Sequence, residues 1–349
     1  MKKLVLSLAT ACCLLAPALA QAAVDNTTYA TLLGINSYGN TTYNSAAPVI
    51  LTGVVINNPF DMLDGSAKWQ TYIQSLNPST DNGGVALYLG KYHPRTGAEL
   101  YAGDFDGTYD GDAWDSEIYR LMYSDADGLA LSYGDVIQVT ANAPGMFFNG
   151  KYNINEQHNA LTSKDFTISV ISRGTTPTAA GISLADLKNA DGSFIFDSSR
   201  STGCEKYQAT LVHLKGLKLL STTEQWASAL TSNDYSVTVQ QIVDGTSYTF
   251  DMILGLNDSL NLTTSQLLAM QETGFDLTAI LDQEDTGTTI TDESSEDFGK
   301  TYYTGGYRLW LTSAENGGLT VVPEPGTLAL CLMGGLTALL VGRRRRSAD

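Results

Sequence analysis

Short runs of Val, Ile, Leu, Thr and Tyr recur along this chain between clusters of Gly, Asn and Asp, and that rhythm limits the fold more than any other feature. Runs at 48–55, 85–90, 133–140 and 166–171 form a first set, and runs at 207–214, 235–242, 249–254, 275–281 and 307–311 a second. Turn formers close each run within the length of one strand, so the body reads as mainly all-β, in two consecutive domains of sandwich or barrel type. An all-helical bundle does not fit. Helical pattern is sparse, confined to 183–188, which opens on a Ser cap, and to 264–271.

Charge narrows the partners. Between residues 23 and 342, 14 lysines and arginines face 36 aspartates and glutamates, a net charge of −22. Nucleic-acid affinity rests on Lys and Arg releasing counterions from phosphates, so nucleic acid is disfavoured as a partner. Cations and neutral sugars are the better fit.

Both ends read as addresses. Lys2 and Lys3 precede an apolar stretch at 4–15, and small residues at 17–22 offer cleavage after Ala20 or Ala22, the pattern of a secretory signal peptide over 1–22. An uncleaved anchor is the alternative, but the apolar run is short for a span. At the other end, Pro323-Glu324-Pro325 precedes an apolar run closed by Arg343, Arg344, Arg345 and Arg346. From Thr327 to Gly342 a helix spans roughly 24 Å, a little short of the hydrocarbon core, and the arginines resist translocation. The three-part tail at 321–346 resembles the PEP-CTERM sorting signal of Gram-negative bacteria. The resemblance implies an exosortase-type processing enzyme as partner, an inner-membrane intermediate held by a C-terminal hydrophobic sorting helix, and a mature protein at the cell surface or outside. A plain membrane anchor is the alternative.

The body carries a second resemblance. Tyr133-Gly134-Asp135-Val136-Ile137-Gln138-Val139-Thr140, followed by Phe148-Asn149-Gly150-Lys151-Tyr152, is similar to a passage of the oligonucleotide/oligosaccharide-binding (OB) fold domains of bacterial extracellular proteins. Glu205-Lys206-Tyr207-Gln208-Ala209-Thr210-Leu211-Val212-His213-Leu214 is similar to the strand that opens a second such barrel, with Ala209 where the pattern usually has Gly, and 274–281 and 306–310 to its later strands. The resemblance implies two tandem OB-like β-barrels: a linker at 23–45, a first domain at 46–175 with an acidic insertion near 91–132, a connection with a short helix at 176–204, and a second domain at 205–317. The phosphoesterase domain that often accompanies such barrels is absent from the sequence.

The sharpest local chemistry is acidic. Asp104, Asp106, Thr108, Asp110, Asp112 and Asp115 alternate with glycines in a register from which oxygens can surround Ca²⁺. Tyr109 stands where an EF-hand needs Gly, Asp115 replaces its bidentate Glu, and no flanking helices are expected. A looser calcium loop and a solvated acidic loop both remain open, as they do for Asp125 and Asp127 just beyond. Asp282, Glu284 and Asp285, with Asp292, Glu293, Glu296 and Asp297, read as a solvated acidic face. Trp114, set inside the acidic stretch, is the candidate for stacking on a ligand; the other tryptophans suit a core equally well.

No catalytic signature emerges. His93, His158 and His213 are scattered, and His213 lies between apolar Val212 and Leu214, which points it away from their face. Beyond the signal only Cys204 and Cys331 remain, so no disulfide framework is available, and Cys204 reads as a buried filler. The favoured function is an exported, exosortase-processed surface or matrix protein whose barrels bind exopolysaccharide without catalysis. The alternative is an extracellular hydrolase or nuclease-accessory OB-fold protein.

Overall fold

The computed structural model of the chain describes residues 27–43, 49–63, 68–91, 111–141, 146–155, 166–315 and 317–322. The expected signal peptide, the sorting residues Pro323, Glu324, Pro325 and Arg343 to Arg346, and Asp104, Asp106, Thr108 and Asp110 lie outside the described residues. Among the described residues no helix is long and apolar enough to cross a membrane.

The protein is mainly β. Its first part runs α1 (Tyr29–Leu32), β1 (Val49–Val55), β2 (Lys68–Gln74), β3 (Gly84–Gly90), α2 (Gly111–Met122), β4 (Val136–Ala141), β5 (Met146–Phe148), β6 (Lys151–Asn155) and β7 (Phe166–Ser172). These strands form one sheet in the order β5-β6-β3-β2-β1-β4-β7, antiparallel throughout except for the β3–β6 pair. Val49, Leu51, Trp69, Ile73, Leu87, Ile137 and Val139 line its inner face, covered by Tyr29 and Leu32 of α1 and by Trp114 and Leu121 of α2.

The second part holds β8 (Ala180–Gly181), α3 (Gly203–Tyr207), β9 (Leu211–Leu219), α4 (Thr223–Ala229), β10 (Val237–Val243), β11 (Thr246–Leu254), α5 (Thr264–Glu272), β12 (Phe275–Gln283), β13 (Thr288–Thr289), β14 (Thr301–Tyr302), β15 (Tyr307–Leu311) and β16 (Leu319–Val321). Five of these strands close into a barrel. β9 pairs with β10 and β10 with β11; β11 pairs in parallel with β15, β15 with β12, and β12 returns to β9. Alternate residues such as Leu214, Val239, Phe250, Met252, Leu277 and Leu309 fill the interior, and Trp226 of α4 and Met270 of α5 pack into the same core. Both helices start at Thr capping boxes, Thr222 with Gln225 and Thr263 with Gln266, which satisfy orphan amides at each end of the box.

The first sheet repeats these connections. β1 lies between β2 and β4, and β3 lies parallel to β6, as β9 lies between β10 and β12 and β11 parallel to β15. In the barrel a single strand, β12, pairs with both β9 and β15; in the first sheet β4 pairs with β1 and β5 with β6. A third apolar cluster joins the two parts: Val54, Ile56, Tyr72 and Ala86 from the sheet meet Leu211, Ile253, Ile280 and Trp310 from the barrel.

Four expectations need correction. Residues 27–43 are not a linker, because Tyr29, Leu32 and Leu33 are buried in the first core and residues 38–40 bond to the second part, with Tyr303 N–H donating to the Tyr38 carbonyl at 2.8 Å. The acidic insertion contains a 12-residue helix, α2, whose Trp114, Ile118 and Leu121 recur on one face, with Asp112 in the first turn and Arg120 in the last as the dipole favours. The strand expected from 207 begins at Leu211, since 203–207 forms a helical turn and Ala209 turns the chain at φ 58°. The expected helix at 183–188 is a short 3₁₀ turn, Leu184–Asp186, held by Ser183 and Asp186 as a capping box.

Candidate functional site at the seam between sheet and barrel

The densest titratable chemistry lies where the β5–β6 turn of the sheet meets the end of β12. Asn149 and Gly150 turn the chain at φ 49° and 86°, which sets Phe148 opposite Lys151 as a two-residue hairpin. Gly150 is required twice over: its φ is left-handed, and a Cβ there would stand 2.6 Å from the Gln283 side chain. The turn docks on the barrel, with Asp285 N–H donating to the Asn149 carbonyl at 2.9 Å.

Lys151, the first residue after the turn, carries its ammonium into the seam. Its Nζ lies 2.6 Å from Asp282 Oδ1, which also accepts from the Tyr72 hydroxyl at 2.7 Å, and Arg308 Nε donates to Oδ2 at 3.1 Å. Glu284 completes the group, accepting from Arg308 Nη2 at 2.7 Å and from Asn149 Nδ2 at 3.0 Å. Two cations thus face two carboxylates, and Asp282 is wholly buried. Burial on its own would raise the Asp282 carboxyl, but Lys151 and Arg308 outweigh it and hold the group below the ordinary carboxylate range. Burial and the Asp282 charge together push the Tyr72 hydroxyl well above its usual value.

Chemically this group is a rivet. Both oxygens of Asp282 are occupied by donors of the protein itself, and each donor comes from a different strand: β2, β6 and β15. Two clefts open along the same seam, of about 40 and 60 Å³. They are lined by Asn57, Asp61, Thr278 and Glu315, and by Gln74, Asn82, Thr178 and Thr210. Such volumes admit water, and fall far below the roughly 300 Å³ of an ordinary ligand pocket.

No known protein family and no curated protein matches this chain. What each expected site residue does is therefore read from its surroundings.

Asp112, in the first turn of α2, and Asp115, just beyond it, are the described members of the candidate calcium set; both are exposed, and the described residues contain no cluster of three potential metal ligands. Trp114 is 2% exposed and packs in the first core, so its ring has no face to offer a ligand. Asp125 and Asp127 gather around a cation that the chain itself supplies. Arg173 donates to Asp127 at 2.7 Å and to buried Asp135 at 2.6 Å, and this bonding draws the Asp127 carboxyl down.

The stretch from 282 divides. Asp292, Glu293 and Glu296 are exposed as expected, whereas Asp282 and Gln283 are fully buried and Asp297 accepts from Tyr38, Lys300 and Tyr302. A sequence signal for this existed in Ala279-Ile280-Leu281, where consecutive apolar residues place both faces of β12 in contact with protein. His213 is half-buried between buried Val212 and Leu214, and its Nδ1 lies 3.0 Å from Thr278 Oγ1. Cys204 is buried, bonded through Sγ to the Leu187 carbonyl, and burial pushes its thiol up, away from nucleophilic use. Beside it, Glu205 accepts from Arg200 at 3.0 Å and from the Tyr307 hydroxyl, tying the start of the second part to β15.

Proposed function

We propose that this is an exported protein sorted through its C-terminal tail by an exosortase-type enzyme, and that its body is a pair of OB-like modules that bind exopolysaccharide at the cell surface or in the matrix. The observation that carries the reading is the order of the tail: Pro323-Glu324-Pro325, an apolar run, then Arg343 to Arg346. The body agrees with it. The barrel has the strand order 1-2-3-5-4-1 with a parallel third and fifth strand, the arrangement of an OB barrel, and the first sheet repeats its connections. A body of charge −22 suits neutral sugars better than phosphate polymers.

The test is fractionation of a Gram-negative host that carries an exosortase. The native chain is expected to lose its tail and reach the exterior, while a Pro323→Ala/Glu324→Ala/Pro325→Ala variant stays full-length in the inner membrane. Equal processing of the two chains would sink the sorting half of the proposal. Retention of the released protein on an immobilised, uncharged exopolysaccharide tests the other half, and elution with the void volume would overturn it.

A further inference from the structure

Among the described residues the sheet edges are short, with one exception. β5 and β16 have three residues each and β8 has two, whereas β7 has seven and carries the free edge of the first sheet among the described residues. Long edges are ordinarily blunted by charge, proline, a bulge or a covering element; β7 pairs regularly with β4 from Phe166 to Val170 and bulges at Ile171, before Ser172 pairs with Val136. Phe166-Thr167-Ile168-Ser169-Val170-Ile171-Ser172 contains neither a charge nor a proline, and four of its seven residues are β-branched. Thr167, Ser169 and Ile171 are exposed, Ile171 by 57%. Arg120 Nη1 donates to the Phe166 carbonyl at 2.9 Å. That carbonyl belongs to the row facing away from β4, so by the alternation of a strand the N–H and C=O of Ile168 and Val170 follow it outward.

We propose that β7 pairs edge to edge with β7 of a second copy of this chain, antiparallel, about a two-fold axis at Ser169. Two bodies of charge −22 repel, so a contact between copies needs a stretch free of carboxylates, and β7 is one. The outward row fits this register. A two-fold at Ser169 sets Ile168 opposite the partner's Val170, and each such pair exchanges both of its backbone hydrogen bonds. On the exposed face Ser169 meets its own counterpart, and Ile171, in the bulge that follows Val170, lies at the end of the pairing toward the partner's Thr167 with no like charges between them. The two sheets then run on as one, and the exposed Ile171 is covered.

The experiment uses residues 23–322, which hold all the described elements and the three apolar clusters. In sedimentation velocity from ~1 to ~200 µM, the protein is expected to pass from monomer to dimer, and Ile171→Lys to weaken that dimer at least ~10-fold with an unchanged melting temperature. Ser169→Cys supplies an independent readout. A residue on the two-fold faces itself at disulfide distance, so Ser169→Cys should give an oxidised dimer on a non-reducing gel, while Ile171→Cys, offset from the axis, should not. A protein that stays monomeric at the highest concentration would overturn the proposal. So would a dimer indifferent to Ile171→Lys, or equal cross-linking of the two cysteine variants.

Discussion

Asp282 owes its effect on stability to what surrounds it more than to its own bonds. Replacing it by Asn leaves Lys151 in the seam with Glu284 at 3.7 Å as its remaining carboxylate, a dry cation short of its counter-charge. We expect Asp282→Asn to cost about 3–5 kcal/mol in urea unfolding, whereas Asp292→Asn at the surface should leave the urea midpoint unchanged. The pH dependence has a definite sign. A carboxyl held below its unfolded value stabilises the fold above that value, and the contribution drains away as pH falls through the unfolded value of about 3.9 toward the folded one. Stability should therefore drop on acidification below about pH 4, and Asp282→Asn should flatten that drop; an unchanged slope would mean that other carboxylates carry it. Ala209 poses the opposite case. It sits at φ 58°, where a left-handed backbone costs about 1–2 kcal/mol, so Ala209→Gly relieves strain while losing a buried methyl of about 0.8 kcal/mol and gaining unfolded-chain entropy. The terms nearly cancel, and the change should be within about 0.5 kcal/mol. Ala279→Gly, equally buried in β12 but without the strain, should cost about 1–2 kcal/mol in the same assay.

At the scale of elements, legibility in the sequence followed burial. β1, β3, β4, β7 and the barrel strands announce themselves through β-branched residues on apolar faces. β2 does not, because Gln70, Thr71 and Gln74 are buried polar residues, Thr71 bonded to Asn57 and Gln74 to the Thr178 carbonyl and to Leu211 N–H, and polarity in sequence reads as exposure. α2 is hidden for a related reason: its few apolar residues stand in a background of carboxylates and glycine, and only their spacing marks a helix. The rivet residues were visible one by one, Lys151 inside the OB-like passage and Asp282 in an acidic stretch, but their meeting depends on a contact between residues 131 positions apart. Trp114 tests the reading of α2 as a core element. We expect Trp114→Ala to cost about 3–5 kcal/mol, and Asp115→Asn, exposed on the same helix, to change stability by about 0.5 kcal/mol or less in either direction. The β5–β6 turn is equally specific: Gly150→Ala meets both a left-handed φ and the Gln283 side chain, and should destabilise by about 2 kcal/mol or more in thermal unfolding.

For the whole molecule, the repeat of strand connections argues for two bodies, and the packing argues for one. The third apolar cluster draws on both parts, Asp282 binds two strands of the sheet to the barrel, and the chain start at 27–43 packs in the first core before bonding to Thr301 and Tyr303 of the second part. Unfolding either part alone would expose Tyr72, Ile253, Ile280 and Trp310, and would leave Lys151 or Asp282 without its partner inside what remains folded. Both costs are avoided only if the two parts unfold together. Scanning calorimetry of residues 23–322 should therefore show a single transition whose calorimetric and van't Hoff enthalpies agree. The seam is the coupling element, so Ile280→Ala combined with Asp282→Asn should lower the coupling more than either core and divide the transition in two. Two transitions in the unaltered protein would mean that the repeated folds are energetically separate, and that the seam is a contact between domains already stable without it.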